Sequence, residues 1–531
     1  MQSADQLMQR LEMLNAIGIA LSSERNIGNL VELILLAAKN LVNADAGTLY
    51  LVEGDTLKFE IVRTDSLGIA LGGSTGRVPP MPPIPLHLGD GVPNTSTVVG
   101  CAALLGETFN IPDAYQAVGF DFSGTKRFDA ANGYHSKSFL TVPMRNHENE
   151  IIGVLQLINK LALDRSIEDF STDDQRLVES LASQAAIALT NRHLINQLEN
   201  LFEALINLIN TAIDDKSPYT GGHCERVPVL TMMLAEATSK VNWGPFKSFH
   251  MTEKDRYELK IAGLLHDCGK ITTPVHVVDK STKLETIFDR IALVDTRFEV
   301  LKRDAEIAHL KGELDAETYA ARLLQYADDK AFLRRTNQGG EFMRPEDQAR
   351  VRGIAAYVWS GADANGQSLP FLSEDEVESL SIARGTLTNA ERQIINHHID
   401  VTIRLLEALP WPKHLTNVPE YAGGHHERMD GKGYPRGLTR EQMSVQARTM
   451  GIADIFEALT ARDRPYKPGK TLSESLGILA RMCKEQHVDP DLFEIFVRER
   501  VYQRYAEMFL EPAQIDMVDD VAVLRLAGLL A

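Results

Sequence analysis

Histidine and aspartate gather in a few patches between residues 223 and 454, and a chain that spreads them so widely must fold so that they meet. The patches read GGHCERV around His223, LLHDCGK around His266, Asp267 and Lys270, NHHID around His398, and HHERMDGKGYP around His425 and His426. The last runs on into GIADIFEALTARDRPYK, which carries Asp454, Arg464 and Lys467. Apolar text of helical period surrounds them, and several His and Asp residues in such a setting are what a polynuclear metal site requires. Imidazole nitrogen suits iron, manganese, zinc or nickel, while a carboxylate can bridge two cations. In an adjacent His-Asp pair one residue can bind a metal while its neighbour reaches a second. Two cations roughly 3.5–4 Å apart can activate water and stabilise both the attacking and the leaving oxygen of a phosphodiester. Any one patch alone reads as a satisfied core histidine, a surface pair or a helix cap; their joint occurrence in this order argues against that.

The bulk numbers set limits. At 531 residues the chain needs several folding units, and 44% hydrophobic with 24% charged residues is ordinary soluble composition. No stretch reaches the ~18 apolar residues of a membrane span, and the N-terminal text does not read as a signal peptide. Cys101, Cys224, Cys268 and Cys483 show neither disulfide nor zinc spacing, so a cytoplasmic setting is expected. Cys268, inside HDCGK, reads as packing. A net charge of −18 argues against nucleic acid or an anionic membrane as partner. An anionic substrate would then need local positive charge at its site.

Ile27–Val42 reads as an amphipathic helix with Leu30, Ile34, Leu35, Ala38 and Leu41 on one face. AGTLYLV, TLKFEIV, SFLTVPM and EIIGVLQLIN read as strands, and the Gly- and Pro-rich residues 71–93 as a loop. Helix, antiparallel strands, helix is an α+β pattern. From Asp173 the text turns helical for some forty residues. Ile187, Leu194, Leu201 and Leu208 repeat every seven, with Asn191, Leu198, Leu205 and Ala212 as the offset series. That is a short coiled-coil seam, which implies a parallel homodimer; a helix packed on its own domain is the plainer alternative. The remainder is mostly helical. Residues 285–386 stand apart, without a cluster of site-forming residues.

The C-terminal region resembles the HD-GYP family of HD phosphohydrolases: HDCGK fits HD-x-GK, and HHERMDGKGYP fits HHE-x-x-DG-x-GYP throughout. The resemblance covers about residues 205–510 and is interrupted by 285–386. It implies an all-α domain that hydrolyses cyclic di-GMP, or cyclic GMP-AMP in some members, to linear pGpG or GMP at an iron or manganese centre. Carried over, His223, His266, Asp267 and Asp454 would hold one metal. Asp267 would bridge to a second, held by His398, His425 and His426. The LT-x-x-E pattern upstream selects His398 over His397. Asp267 and Lys270 would be catalytic, with Lys270 facing the scissile phosphate. Arg464 and Lys467 would hold phosphate or guanine, and these three cations would supply the positive charge the substrate needs. Asp430, Gly431, Gly433, Tyr434 and Pro435 would shape a loop over the substrate, although simple turn chemistry also accounts for the glycines. Trinuclear members carry a further acid just before the first histidine. Residues 217–222 contain none, which favours two metals. The insertion is expected to form a helical lid or a partner surface. A degenerate cyclic-dinucleotide receptor is the competing reading, but no ligand position is missing.

Residues 20–190 resemble a GAF domain of the cyclic-nucleotide-binding kind, through FNIPDAY, GYHSKSFLTVPM and LQLINK. The NKFDE signature of that family falls on Asn159, Lys160, Phe170 and Asp174, with Gln175 at the final acid, and implies bracing of the fold. A cyclic nucleotide is the ligand the resemblance suggests, with an unknown small molecule or a dimerising role as alternatives. The expected architecture is therefore multidomain: an α+β GAF sensor at 20–190, a connecting signalling helix at 173–214, and an all-α HD-GYP domain at 205–510 with a helical insertion at 285–386.

Overall fold

The computed structural model describes residues 2–216, 222–340, 342–363, 365–462 and 469–530, apart from the side chains of 2–11 and 90. Contacts divide the chain into two compact units, 1–202 and 203–531.

The first unit is built on an antiparallel sheet. Across it the strands run Ile69–Gly72, Thr56–Thr64, Ala44–Glu53, Ile151–Leu161, Phe139–Arg145 and Phe109–Ile111. Successive residues of a strand face opposite ways, so the central pair serves two cores. Leu49 and Leu155, paired across the strands, pack with Ile34, Leu35 and Val178 from the helices on one face. Tyr50 and Val154 pack with Val99 and Ala102 on the other. The helix Ile27–Val42 is capped by the Asn26 side chain, which accepts the Asn29 amide at 3.1 Å, and ends at Asn43 in the left-handed region. The four expected strands are all present. Helices Val98–Leu105 and Ser123–Asn132 and the strand Phe109–Ile111 carry no sequence period that would announce them: the first is apolar all round, the last only three residues long. Helix Gln2–Ser23 extends the core below residue 20 through Leu14 and Ile17. The signature residues brace this unit. Asn159 accepts the Lys137 amide at 2.8 Å and donates to the His135 carbonyl at 2.8 Å, Lys160 pairs with the buried Asp174, and Phe170 is core.

Helix Thr172–Lys216 is continuous over 45 residues. Along it Ile187, Leu194, Leu198, Leu201, Leu205 and Leu208 are all exposed. Ile206, Asn210 and Ile213, on another face, are buried.

The second unit is helical. Its main core joins His223–Lys240, Val445–Thr460, Leu472–Lys484, Pro490–Arg498 and Val501–Phe509 through Leu230, Phe456, Leu476, Phe493 and Tyr505. That core continues past residue 510, because the apolar helix Asp520–Leu526 folds back and adds Val523 and Leu524. Residues 291–380 have a separate core in which Phe298, Leu301, Leu333, Val351 and Phe371 join helices Ile291–Leu310, Ala316–Asn337 and Pro345–Ala355. Its two ends are clasped. The buried Lys283 amine donates to the carbonyls of Leu380 at 3.1 Å and Ile382 at 2.8 Å, and the Lys283 amide donates to the Asn337 carbonyl at 2.8 Å. The Asn337 side chain accepts the Leu284 amide and donates to Asp289, both at 2.8 Å. Among the described residues no helix is long and apolar enough to cross a membrane.

Because Asn337 is buried, Asn337→Ala strands the Leu284 amide and should cost about 1–3 kcal/mol. The expected outcome is a lower melting temperature with new protease cuts between residues 285 and 386.

Candidate metal centre

His223 opens the helix His223–Lys240, directly after Gly222 in the left-handed region at φ 82°. His266 stands at the C-terminal end of helix Glu253–Leu265, whose start is fixed by a reciprocal Thr252–Asp255 cap. Asp267 leads into the tight turn Cys268–Thr272. Gly269 in that turn lies against the helix His398–Glu407. Its amide donates to Thr402 Oγ1 at 2.9 Å, and a Cβ there would stand 2.0 Å from the His398 carbonyl oxygen. Only glycine permits this approach, which sets Asp267 beside His398. His425 and His426 follow the short helix Val418–Gly423, and Asp454 projects from Val445–Thr460.

These residues converge in two groups. His223, His266, Asp267 and Asp454 bring one ligand atom each within 4.8 Å of one another, and so do His398, His425 and His426. Asp267 faces both. Its Oδ2 lies 3.1 Å from His223 Nε2 and 3.3 Å from His266 Nε2, and its Oδ1 lies 3.2 Å from His398 Nε2. His223 Nε2 is 3.3 Å from Asp454 Oδ1, and the Nε2 atoms of His398 and His426 are 3.3 Å apart. Atoms sharing one cation at about 2.1 Å are separated by roughly this much. His397 is exposed and paired with Asp400, outside both groups.

The hydrogen bonds decide which nitrogen is offered. His266, His398 and His425 donate Nδ1–H to the carbonyls of Gly263, Ile395 and Ala422 at 2.7, 2.5 and 2.6 Å. That leaves each Nε2 as a lone pair turned into the centre. Three buried atoms there, His266 Nε2, His425 Nε2 and Asp267 Oδ1, make no hydrogen bond within the protein. Buried polar atoms are costly when unmet, so a set of five imidazoles and two carboxylates with orphaned inward-facing atoms fits divalent metal ions.

Electrostatics point the same way. Burial pushes the His426 imidazole down to about 4 and that of His425 well below its ordinary value, so both are neutral, as metal ligands must be. Burial opposes ionisation of Asp267 and Asp454. The Lys270 charge outweighs it for the first, and the hydrogen bond from His223 for the second, so both carboxyls lie below the usual range. Lys270 Nζ lies 2.5 Å from Asp267 Oδ2 with part of its side chain open to solvent.

Among the other expected residues, Tyr434 stacks on His426 with ring centroids 4.8 Å apart. Gly433 packs on the Glu427–Arg428 backbone, where a Cβ would meet the Arg428 nitrogen at 2.4 Å. Asp430 serves the turn instead of facing the centre: Arg428 holds both its oxygens at 3.0 Å, and it accepts the Lys432 amide. Arg464 and Lys467 lie outside the described residues, as does the acid-free stretch 217–221. Two further residues escaped the sequence reading. Glu457 is buried and bonds His223 and Arg226, while the buried Glu427 accepts the amides of Arg436 at 2.7 Å and Leu438 at 2.9 Å, holding the glycine-rich loop. A carboxylate three residues after Asp454, on the same helix face, was the available signal for the first.

Comparison with known proteins gives a GAF domain over residues 26–189 and HD domains over 220–331 and 374–492. A 3′3′-cGAMP-specific phosphodiesterase of Vibrio cholerae is 23% identical over 319 residues, 60% of this chain and 42% of that protein. A cyclic di-GMP phosphodiesterase of Pseudomonas aeruginosa is 35% identical over 135 residues, 25% of this chain and 31% of that protein. A dual 3′,5′-cyclic-AMP and -GMP phosphodiesterase 11A of Takifugu rubripes is 31% identical over 200 residues, 37% of this chain and 21% of that protein. The chain thus spans less than half the length of each.

His398→Ala should lose one metal ion per chain, and His397→Ala should retain the full complement. Metal analysis of the two purified variants checks this.

Proposed function

With a GAF domain followed by an HD domain of the HD-GYP type as premise, we propose that the chain is a metal-dependent phosphodiesterase that cuts a cyclic dinucleotide, cyclic di-GMP first. The observation that carries the reading is Asp267, whose two oxygens each face one of two ligand groups. His223, His266, Asp267 and Asp454 would hold one ion, and Asp267, His398, His425 and His426 the other. Iron or manganese suits this mixture of imidazole and carboxylate. When bound, the pair supplies an activated water and charge stabilisation at the attacking and leaving oxygens of the phosphodiester.

The protein's own groups do the rest. Lys270 keeps its positive charge despite burial, because Asp267 and Asp454 outweigh the cost, and it offers that charge to the scissile phosphate. Tyr434, stacked on His426, forms a wall beside the second ligand group. Arg464 and Lys467 would grip the outer phosphate or a guanine. The products would be pGpG and, after a second cut, GMP. Relatives named for cyclic di-GMP and for 3′3′-cGAMP support this substrate class, and 3′3′-cGAMP is the alternative substrate.

The GAF domain serves as the regulatory input, with a cyclic nucleotide as its ligand. The exposed leucine seam of helix Thr172–Lys216 supports a homodimer. All four cysteines are free and buried, which suits the reducing cytoplasm.

Manganese- or iron-loaded protein, incubated anaerobically with cyclic di-GMP, should yield pGpG or GMP, and chelation should stop it. The double variant His266→Ala, Asp267→Ala should abolish turnover; full turnover in it would sink the assignment. Tight binding of the nucleotide without product would mark a receptor. Running 3′3′-cGAMP in parallel ranks the two substrates by kcat/KM. Leu198→Glu with Leu205→Glu should convert the dimer to a monomer in sedimentation.

A further inference from the structure

Three of the buried histidines take their orientation from backbone carbonyls, but His223 takes its orientation from a carboxylate. Glu457 lies one helical turn beyond Asp454 and is 1% exposed. Its Oε2 stands 2.5 Å from His223 Nδ1, and its Oε1 accepts from Arg226 Nε at 2.7 Å, so both oxygens are engaged. A carboxylate can only accept from the ring, so a proton resides on Nδ1, and Nε2, which faces Asp267 and Asp454, is the nitrogen left to bind an ion. A negatively charged acceptor also makes the opposite nitrogen a better donor to a metal than a carbonyl acceptor does. Arg226, from the first turn of the His223 helix, fixes the carboxylate in turn.

We infer that Glu457 is a positioning residue for the metal centre, acting through His223 to set the affinity of the ion shared by His223, His266, Asp267 and Asp454. This rests on the two-metal reading proposed above. Glu457 reaches the centre only through the imidazole. Its removal should therefore weaken one ion selectively and leave the His398–His425–His426 ion as it was.

The test is equilibrium dialysis of the full-length, chelator-stripped protein against Mn(II), with bound metal counted per chain. Wild type should take up two ions. Glu457→Gln keeps the length but removes the charge, and should weaken one ion about 10- to 100-fold while the other binds as before. Glu457→Asp, which keeps the charge one methylene short, should recover part of the loss. A role limited to packing would instead lower the melting temperature of the metal-free protein and leave both affinities intact. Wild-type affinity for both ions in Glu457→Gln overturns the inference. Should that variant fail to fold, unchanged binding in Glu457→Asp overturns it equally. Wild-type protein that takes up no manganese overturns the metal centre itself and this inference with it, so the wild-type titration tells the two failures apart.

Discussion

The second unit is organised around one carboxylate that cannot satisfy itself. Asp267 is almost wholly buried, and its oxygens look in opposite directions, one toward His223 and His266, the other toward His398. Withdrawing a carboxylate from water is expensive unless charge or hydrogen bonds compensate. Lys270 compensates on one side only. The surrounding helices are placed accordingly: one ends at His266, one begins at His223, one begins at His398, and each turns an imidazole nitrogen inward. The polypeptide supplies metal-binding residue types on every side of a point where, Lys270 apart, it supplies little positive charge.

Most of this centre was legible in the sequence because ligands must be particular residue types and cluster in short motifs. All seven expected ligand residues fall in the two groups, and the choice of His398 over His397 agrees with burial. What sequence could not settle was which polar residues face the centre and which face each other. Asp430 looks as available as Asp267 in the text, yet its own turn uses it, because Arg428 two residues earlier reaches forward to it. Glu457 reads as an ordinary helical glutamate, and its burial against His223 and Arg226 depends on a pairing between segments more than two hundred residues apart.

The same division holds for the fold. The sheet of the first unit was legible where alternation or an amphipathic stripe reached several residues, as in Ala44–Glu53 and Ile27–Val42. It was not legible where an element is apolar on all sides, as in Val98–Leu105, or too short to show a period, as in Phe109–Ile111. At the C-terminus the family resemblance stopped at about residue 510, whereas Val523 and Leu524 belong to the main core. The separateness of residues 285–386 could be read from their lack of a His/Asp cluster. Its clasp by Lys283 and Asn337 could not, since it joins distant backbone carbonyls and amides.

Gly269 has no side chain to offer to chemistry, yet its missing Cβ is what lets the turn after Asp267 settle onto the start of the His398 helix. In a saturation scan of this chain, position 269 would therefore show the same intolerance as the histidines and aspartate beside it. A map of mutational sensitivity would draw the His/Asp cluster one residue type too wide, marking as chemistry a position whose only contribution is empty volume.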